Sequence, residues 1–291
     1  MLRSRMRWLI ASAAVLATLA VTLLGWSGIH AVLADSNRPQ EYLALGDSVA
    51  FGYSPLLNHA TAANFIGYPD TAGATLKENL TNASCPGETS GHFIDLTASD
   101  HGCGPYRHVF PLHVAYSGTQ LAFADGFLQS HPQTLVVSIN IGANDLFVLI
   151  ESCGGSTTPA EIHCIQAGLP AMLQTLGANL DIIYGHIRNV DGYHHKLVGL
   201  TYYSLNYSDS VGTQITGAVN QVIADRTQAW GGIVADGFGA FAAASASFGG
   251  DTCAAGLRIV LVPSPLFCDV HPTPAGRDLL AQAIVNALRT A

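Results

Sequence analysis

The sequence predicts an α/β sandwich, a parallel sheet covered by helices on both faces. Three observations carry that expectation. Short apolar runs recur along the chain, segments of helical periodicity lie between them, and 291 residues of 49% hydrophobic content, without a repeat, suffice for one well-buried domain.

Tyr42 to Leu45 is an apolar run that stops at Gly46-Asp47-Ser48, the pattern of a buried strand ending in a turn. Leu135 to Ile141 (LVVSINI) is a second, ending at Gly142, and His195 to Leu205 (HKLVGLTYYSL) a third. Leu257 to Val262 (LRIVLV) is read as a fourth. Helical periodicity runs through Leu169 to Ile187, Val211 to Trp230 and Thr273 to Leu288. In the last, Thr273 suits an N-cap and Pro274 the first helical position. The Gly-Ala-Ser-rich stretch Gly237 to Gly250 is expected to be surface loop.

Arg3, Arg5 and Arg7 precede an apolar run from Trp8 to Gly25 and a polar step into Asp35 and Ser36, the layout of an export signal. Two readings fit residues 1–34. One is a signal peptide cleaved after Val32-Leu33-Ala34, with the mature chain beginning at Asp35. The other is a retained N-terminal membrane anchor, a tether through residues 8–25, at the short end of what spans a bilayer. Both place residues 35–291 outside the cytoplasm. Charged residues are 11% of the chain and the net charge is -8, which becomes -11 if the three arginines leave with residues 1–34. No Lys/Arg stripe could track phosphates, so nucleic acid is not an expected partner.

Six cysteines in an exported chain favour disulfides over free thiols. Sequence alone does not choose among their pairings. The short-range set Cys85-Cys103, Cys153-Cys164 and Cys253-Cys268 is expected, each closing a loop beside a segment that carries chemistry. No C-x-x-C pair occurs, and the spacings of seven and five among His101, His108 and His113 match no zinc motif, so no metal is expected.

Ligands of parallel sheets gather at the carboxyl ends of the strands, and three polar clusters fall at or near such ends. Gly46-Asp47-Ser48 would hold a serine on a rigid edge, with the next helix offering backbone N–H groups to a developing oxyanion. Alone, it is a weak signal, since a Ser or Asp after a strand is more often just a helix cap. In Gly142-Ala143-Asn144-Asp145, the Asn amide is a neutral oxyanion donor and the glycine permits a tight turn. In Asp269-Val270-His271-Pro272, the histidine suits removal of a serine proton near neutral pH, and an adjacent acid would orient its ring. Phe51, Tyr53 and Phe65 either line a pocket beside Ser48 or belong to the core. Asp47 and Asp145 are read as acceptors of backbone hydrogen bonds that hold the loops.

Taken in order, these three clusters resemble the blocks of the SGNH (GDSL) hydrolases, and Cys85-Pro86-Gly87-Glu88-Thr89 sits where that family keeps its second block. The resemblance spans positions 42 to 288. It implies a three-layer α/β/α sandwich of flavodoxin-like type, forming a catalytic domain over residues 35–291. It further implies Ser48 as nucleophile, His271 as base, and an oxyanion hole made by the Ser48 and Gly87 N–H groups and the Asn144 side chain. The activity so implied is that of a monomeric, exported esterase or lipase, cleaving small-molecule or lipid carboxylic esters through an acyl-enzyme without a cofactor. The alternatives are a carbohydrate O-deacetylase, a phospholipase, or a non-catalytic surface-binding protein that keeps the fold. The α/β-hydrolase fold is disfavoured, because Ala50 breaks G-x-S-x-G and the serine follows the first strand.

One departure stands out. The family's D-x-x-H block would place its acid at position 268, which is Cys268. Asp269, two residues before His271, would share a face with it in an extended strand and is expected to orient the ring. A backbone carbonyl at 268 is the alternative.

Overall fold

The first apolar run forms β1, Glu41–Gly46, and buries every residue after Glu41. An uninterrupted apolar strand needs cover on both faces, which only an interior position in a parallel sheet supplies. Val136–Asn140 (β3) is likewise buried throughout, and Lys196–Leu200 (β4) after its first residue. The structure is a computed structural model that describes residues 40–291, so the segment read as export signal or anchor lies outside the described residues. Among the described residues no helix is long and apolar enough to cross a membrane.

Two short strands complete the sheet at its edges, Asn79–Asn82 (β2) and Ile233–Ala235 (β5). All five strands are parallel, in the order β2-β1-β3-β4-β5. The chain therefore leaves β1 in one direction and returns to its other side as β3. The crevice above the carboxyl ends of these two strands is where an open α/β sheet binds its ligands.

Helices cover both faces, giving the three-layer α/β/α sandwich. Tyr68–Leu76 (α2), Gly237–Ser245 (α8) and Pro274–Thr290 (α9) pack together as one layer. Gln120–Ser130 (α4), Pro159–Gly185 (α6) and Ser210–Ala229 (α7) form the other. Three further helices, Ser48–Phe51 (α1), Cys103–Val109 (α3) and Ala143–Ser152 (α5), lie at the carboxyl ends of the strands. Local chemistry sets their starts: Thr273 caps α9 through Gly276 N–H, with Pro274 following, and Asp209 caps α7 through Val211 and Gly212.

Two expectations need correction. Leu257 to Val262 is a strand, but it lies outside the parallel sheet. As Arg258–Pro263 (β6) it pairs antiparallel with Leu266–Pro272 (β7), because the Ser264-Pro265 link is too short for a parallel crossover. The stretch Gly237 to Gly250 is largely helical. Asp236 accepts from Gly239 N–H at 2.7 Å, and the fully buried Phe241 stacks on Tyr203 at 4.1 Å between centroids.

Three disulfides join Cys85 to Cys103, Cys153 to Cys164 and Cys253 to Cys268, and among the described residues no cysteine is free.

Candidate active site

Gly46 ends β1 at φ 137°, and a Cβ there would lie 2.2 Å from the Asn140 carbonyl oxygen, so only glycine lets the chain turn against β3. Gln120 clamps this turn from α4, accepting from Gly46 N–H at 2.5 Å and donating to its carbonyl at 3.0 Å. Asp47 caps the short helix that follows, its Oδ1 accepting from Val49 N–H at 2.9 Å, and Ser48 is the first helical residue. The serine is 8% exposed. The other Asp47 oxygen accepts from the Tyr202 hydroxyl at 2.6 Å and from the Asn144 amide at 3.4 Å. Burial raises the Asp47 carboxyl to about 6, against the opposing hydrogen bond from Tyr202.

Gly87 stands in the left-handed region at φ 85°, in the loop closed by the Cys85–Cys103 disulfide. A Cβ there would meet the His101 carbonyl at 2.5 Å, while His101 N–H donates to the Gly87 carbonyl at 2.9 Å. The next residue, Glu88, is fully buried, with its carboxylate held by His92 and by the Gln120 amide at 3.1 Å. Burial raises this carboxyl in spite of the His92 hydrogen bond.

Asn144 lies in the first turn of α5 and donates through Nδ2 to the Glu88 carbonyl at 2.8 Å. The amide is thereby tied to the loop of Gly87, and its second Nδ2 hydrogen has only the long contact to Asp47. Asp145 accepts from Ser90 N–H at 2.9 Å and from the Ser90 hydroxyl at 2.5 Å, fastening the same loop to α5.

Asp269 and His271 alternate along β7, so their side chains share a face. Asp269 Oδ1 accepts from His271 N–H at 3.0 Å and meets the ring at Nδ1. Burial opposes ionisation of Asp269, but the hydrogen bonds and charge of His271 outweigh it and hold the carboxyl below its ordinary range. The strand is pinned beside them, with the Tyr203 hydroxyl donating to the Val270 carbonyl at 2.6 Å and Arg258 to the Asp269 carbonyl at 3.1 Å.

Ser48, Gly87, Asn144 and His271, drawn from four separate segments, line one pocket of about 840 Å³. Asp269 meets the His271 ring at Nδ1, so Nε2 is the ring nitrogen left to act as acceptor. Of the three aromatic candidates, Phe51 and Phe65 are core and Tyr53 lines the pocket. His101 also reaches the pocket wall, stacked on Phe147, while His113 Nε2 donates to the Phe51 carbonyl at 2.9 Å. Among the described residues one group offers the donor types of a metal site, Cys85, Glu88 and Cys103, but both sulfurs are committed to a disulfide and supply no thiolate. Gln120 and Tyr202 escaped the sequence reading. Tyr202 follows β4 at its carboxyl end, the one positional signal that pointed to it.

Residues 44–279 match the family model of the GDSL-like lipase/acylhydrolase family. Three solved structures illustrate the likeness in fold. An extracellular lipase from Streptomyces rimosus shares 20% identity at a TM-score of 0.51, covering 87% of this chain and 99% of its own. Phospholipase A1 from Streptomyces albidoflavus NA297 shares 21% at 0.54, with the same coverage of 87% and 99%. A catalytic mutant of an acetylxylan esterase from Geobacillus stearothermophilus shares 14% at 0.52, covering 86% of this chain and 94% of its own. The comparison with curated proteins returned no match. The family match, over most of the chain, carries the assignment that the fold alone would not: the protein belongs to the GDSL-like lipase/acylhydrolase family and is a carboxylic ester hydrolase.

Proposed function

We propose that the protein is an exported serine esterase in which Ser48 attacks the ester carbonyl and His271, oriented by Asp269, moves the proton. The observation that carries this reading is the Asp269 carboxylate on His271 Nδ1, with the His271 ring and Ser48 lining the same pocket. A carboxylate accepts only, so Nδ1 holds the hydrogen and Nε2 is the free base. In the first half-reaction the Ser48 hydroxyl proton passes to Nε2 as Oγ bonds to the carbonyl carbon. The carbonyl oxygen becomes an oxyanion, met by the N–H groups of Ser48 and Gly87 and the second Nδ2 hydrogen of Asn144. Collapse expels the alcohol, which takes the proton from Nε2, and leaves Ser48 acylated. Water then gives a proton to Nε2 as it adds to the acyl carbon, and collapse breaks the bond to Oγ, which takes that proton back from Nε2, releasing the acid and restoring Ser48.

Export is supported by the export-signal layout of residues 1–34 and by three disulfides, which belong to oxidising compartments. The extracellular lipase of the same fold agrees with it. Turnover of p-nitrophenyl butyrate by wild type and Ser48→Ala tests the reading. Hydrolysis should fall to background in the variant, with unchanged circular dichroism, and retained turnover would refute the serine mechanism.

A further inference from the structure

The pocket over Ser48 has far more room than an acetyl group needs, and its two sides differ in character. Beside His271 the wall is aromatic: the Tyr53 ring lies 4.7 Å from His271, Tyr106 lies 6.2 Å from Tyr53, and Phe110 lies 5.3 Å from Tyr106. The other side is built by three helices, α5, α6 and α7, of which α6 packs on both of the others. Phe147 and Ile150 of α5, Ile165 of α6, and Val211, Ile215 and Val219 of α7 all line it.

The α7 residues recur at i, i+4 and i+8, which puts them in one stripe along the helix. Exposure falls along that stripe, from 36% at Val211 through a half-buried Ile215 to 2% at Val219, so it runs from mouth to floor. Eight residues of helix rise about 12 Å. An alkyl chain of ~1.5 Å bonds at ~111° advances about 1.25 Å per carbon, so the arm matches about eight to ten carbons. The polar groups along the stripe are occupied elsewhere: the Thr216 hydroxyl donates to the Gly212 carbonyl at 2.9 Å, and the Asp209 carboxylate caps the helix.

We propose that this arm is an acyl-chain subsite and that the substrates are esters of medium-chain fatty acids. The inference rests on the serine mechanism above, which also assigns the sides. The base must protonate the leaving alcohol, so the alcohol lies against His271 and Tyr53. The acyl chain then extends away from them, into the arm between α5, α6 and α7.

The test is kcat/KM for p-nitrophenyl esters from acetate to dodecanoate, below their aggregation limits, with fluorophosphonate labelling run alongside. Burying one methylene contributes ~0.8 kcal/mol, so the rate constant should climb about fourfold per methylene until the arm is full. Ile215→Trp and, from the opposite wall, Ile150→Trp fill the arm and should each lower the decanoate-to-butyrate ratio at least tenfold. A flat or falling profile, or a ratio unchanged in both variants, would overturn the subsite. If Ser48 is labelled and acetate is cleaved with a flat profile, the subsite alone fails. If nothing is labelled or hydrolysed, the serine mechanism beneath it fails as well.

Discussion

The carboxylate of Asp269 holds His271 twice, accepting its main-chain N–H at 3.0 Å and meeting its ring at Nδ1. One acid thus sets both the backbone and the ring tautomer of a residue two positions along the same strand. In the proposed mechanism a two-residue spacing takes the place of a family block that sets its acid three residues before the histidine, made workable by the alternation of side chains in a β-strand.

If that contact orients the base, Asp269→Asn puts the proton on the wrong nitrogen and should lower kcat by up to about 10⁴. Steady-state hydrolysis of p-nitrophenyl butyrate reads this directly. A loss of about tenfold or less would transfer the orienting role to a main-chain carbonyl, which survives side-chain substitution.

Asn144→Ala should lower kcat by roughly 10²- to 10³-fold with little effect on KM, because an oxyanion donor acts in the transition state. Its amide also ties α5 to the Glu88 carbonyl, so thermal unfolding should be followed in parallel. An unchanged kcat in a folded variant would remove Asn144 from the oxyanion hole.

The sequence disclosed the centre of the fold better than its margins. β1 and β3 are apolar over most of their length and could be read directly, and Thr273-Pro274 announced α9. The edge strands escaped because Asn79-Leu80-Thr81-Asn82 is polar and Ile233-Val234-Ala235 is only three residues long. The helix over Gly237–Ser245 was hidden by its glycine and alanine content, which mimics loop composition although Phe241 anchors it in the core. Ser48, Gly87, Asn144 and His271 could be named as candidates because each stands in a recognisable block, and all four line one pocket. Gln120 could not, since its role is to clamp the Gly46 backbone across 74 residues of sequence, a contact that only folding creates.

Asp47 supplies a pH-dependent prediction. Its folded carboxyl, raised to about 6 by burial, keeps a proton that the unfolded chain has already lost above its ordinary 3.8. This group therefore favours the fold at low pH, and that contribution disappears as pH rises through 6. Asp269, held low by His271, works in the opposite sense: its stabilisation is present above the ordinary carboxylate range and lost on acidification through its folded value. Relative to wild type, Asp47→Asn should gain stability between pH 4 and 7, by up to about 3 kcal/mol, in urea denaturation. A difference that stays constant with pH would contradict the raised carboxyl.

The disulfide Cys253–Cys268 ends one residue before Asp269. Replacing both cysteines by alanine should cost about 2 to 4 kcal/mol of stability and also lower kcat, because β7 carries Asp269 and His271, the proposed orienting acid and base. Equal activity at a temperature where both proteins are folded would separate the bond from the site.

The most direct test of the central claim is the site of covalent capture. Native protein treated with a fluorophosphonate and then digested should yield one modified peptide, with the adduct on Ser48. Labelling should be slowed in His271→Ala and absent in Ser48→Ala. An adduct on any other residue, or ester hydrolysis that persists in Ser48→Ala, would contradict the account.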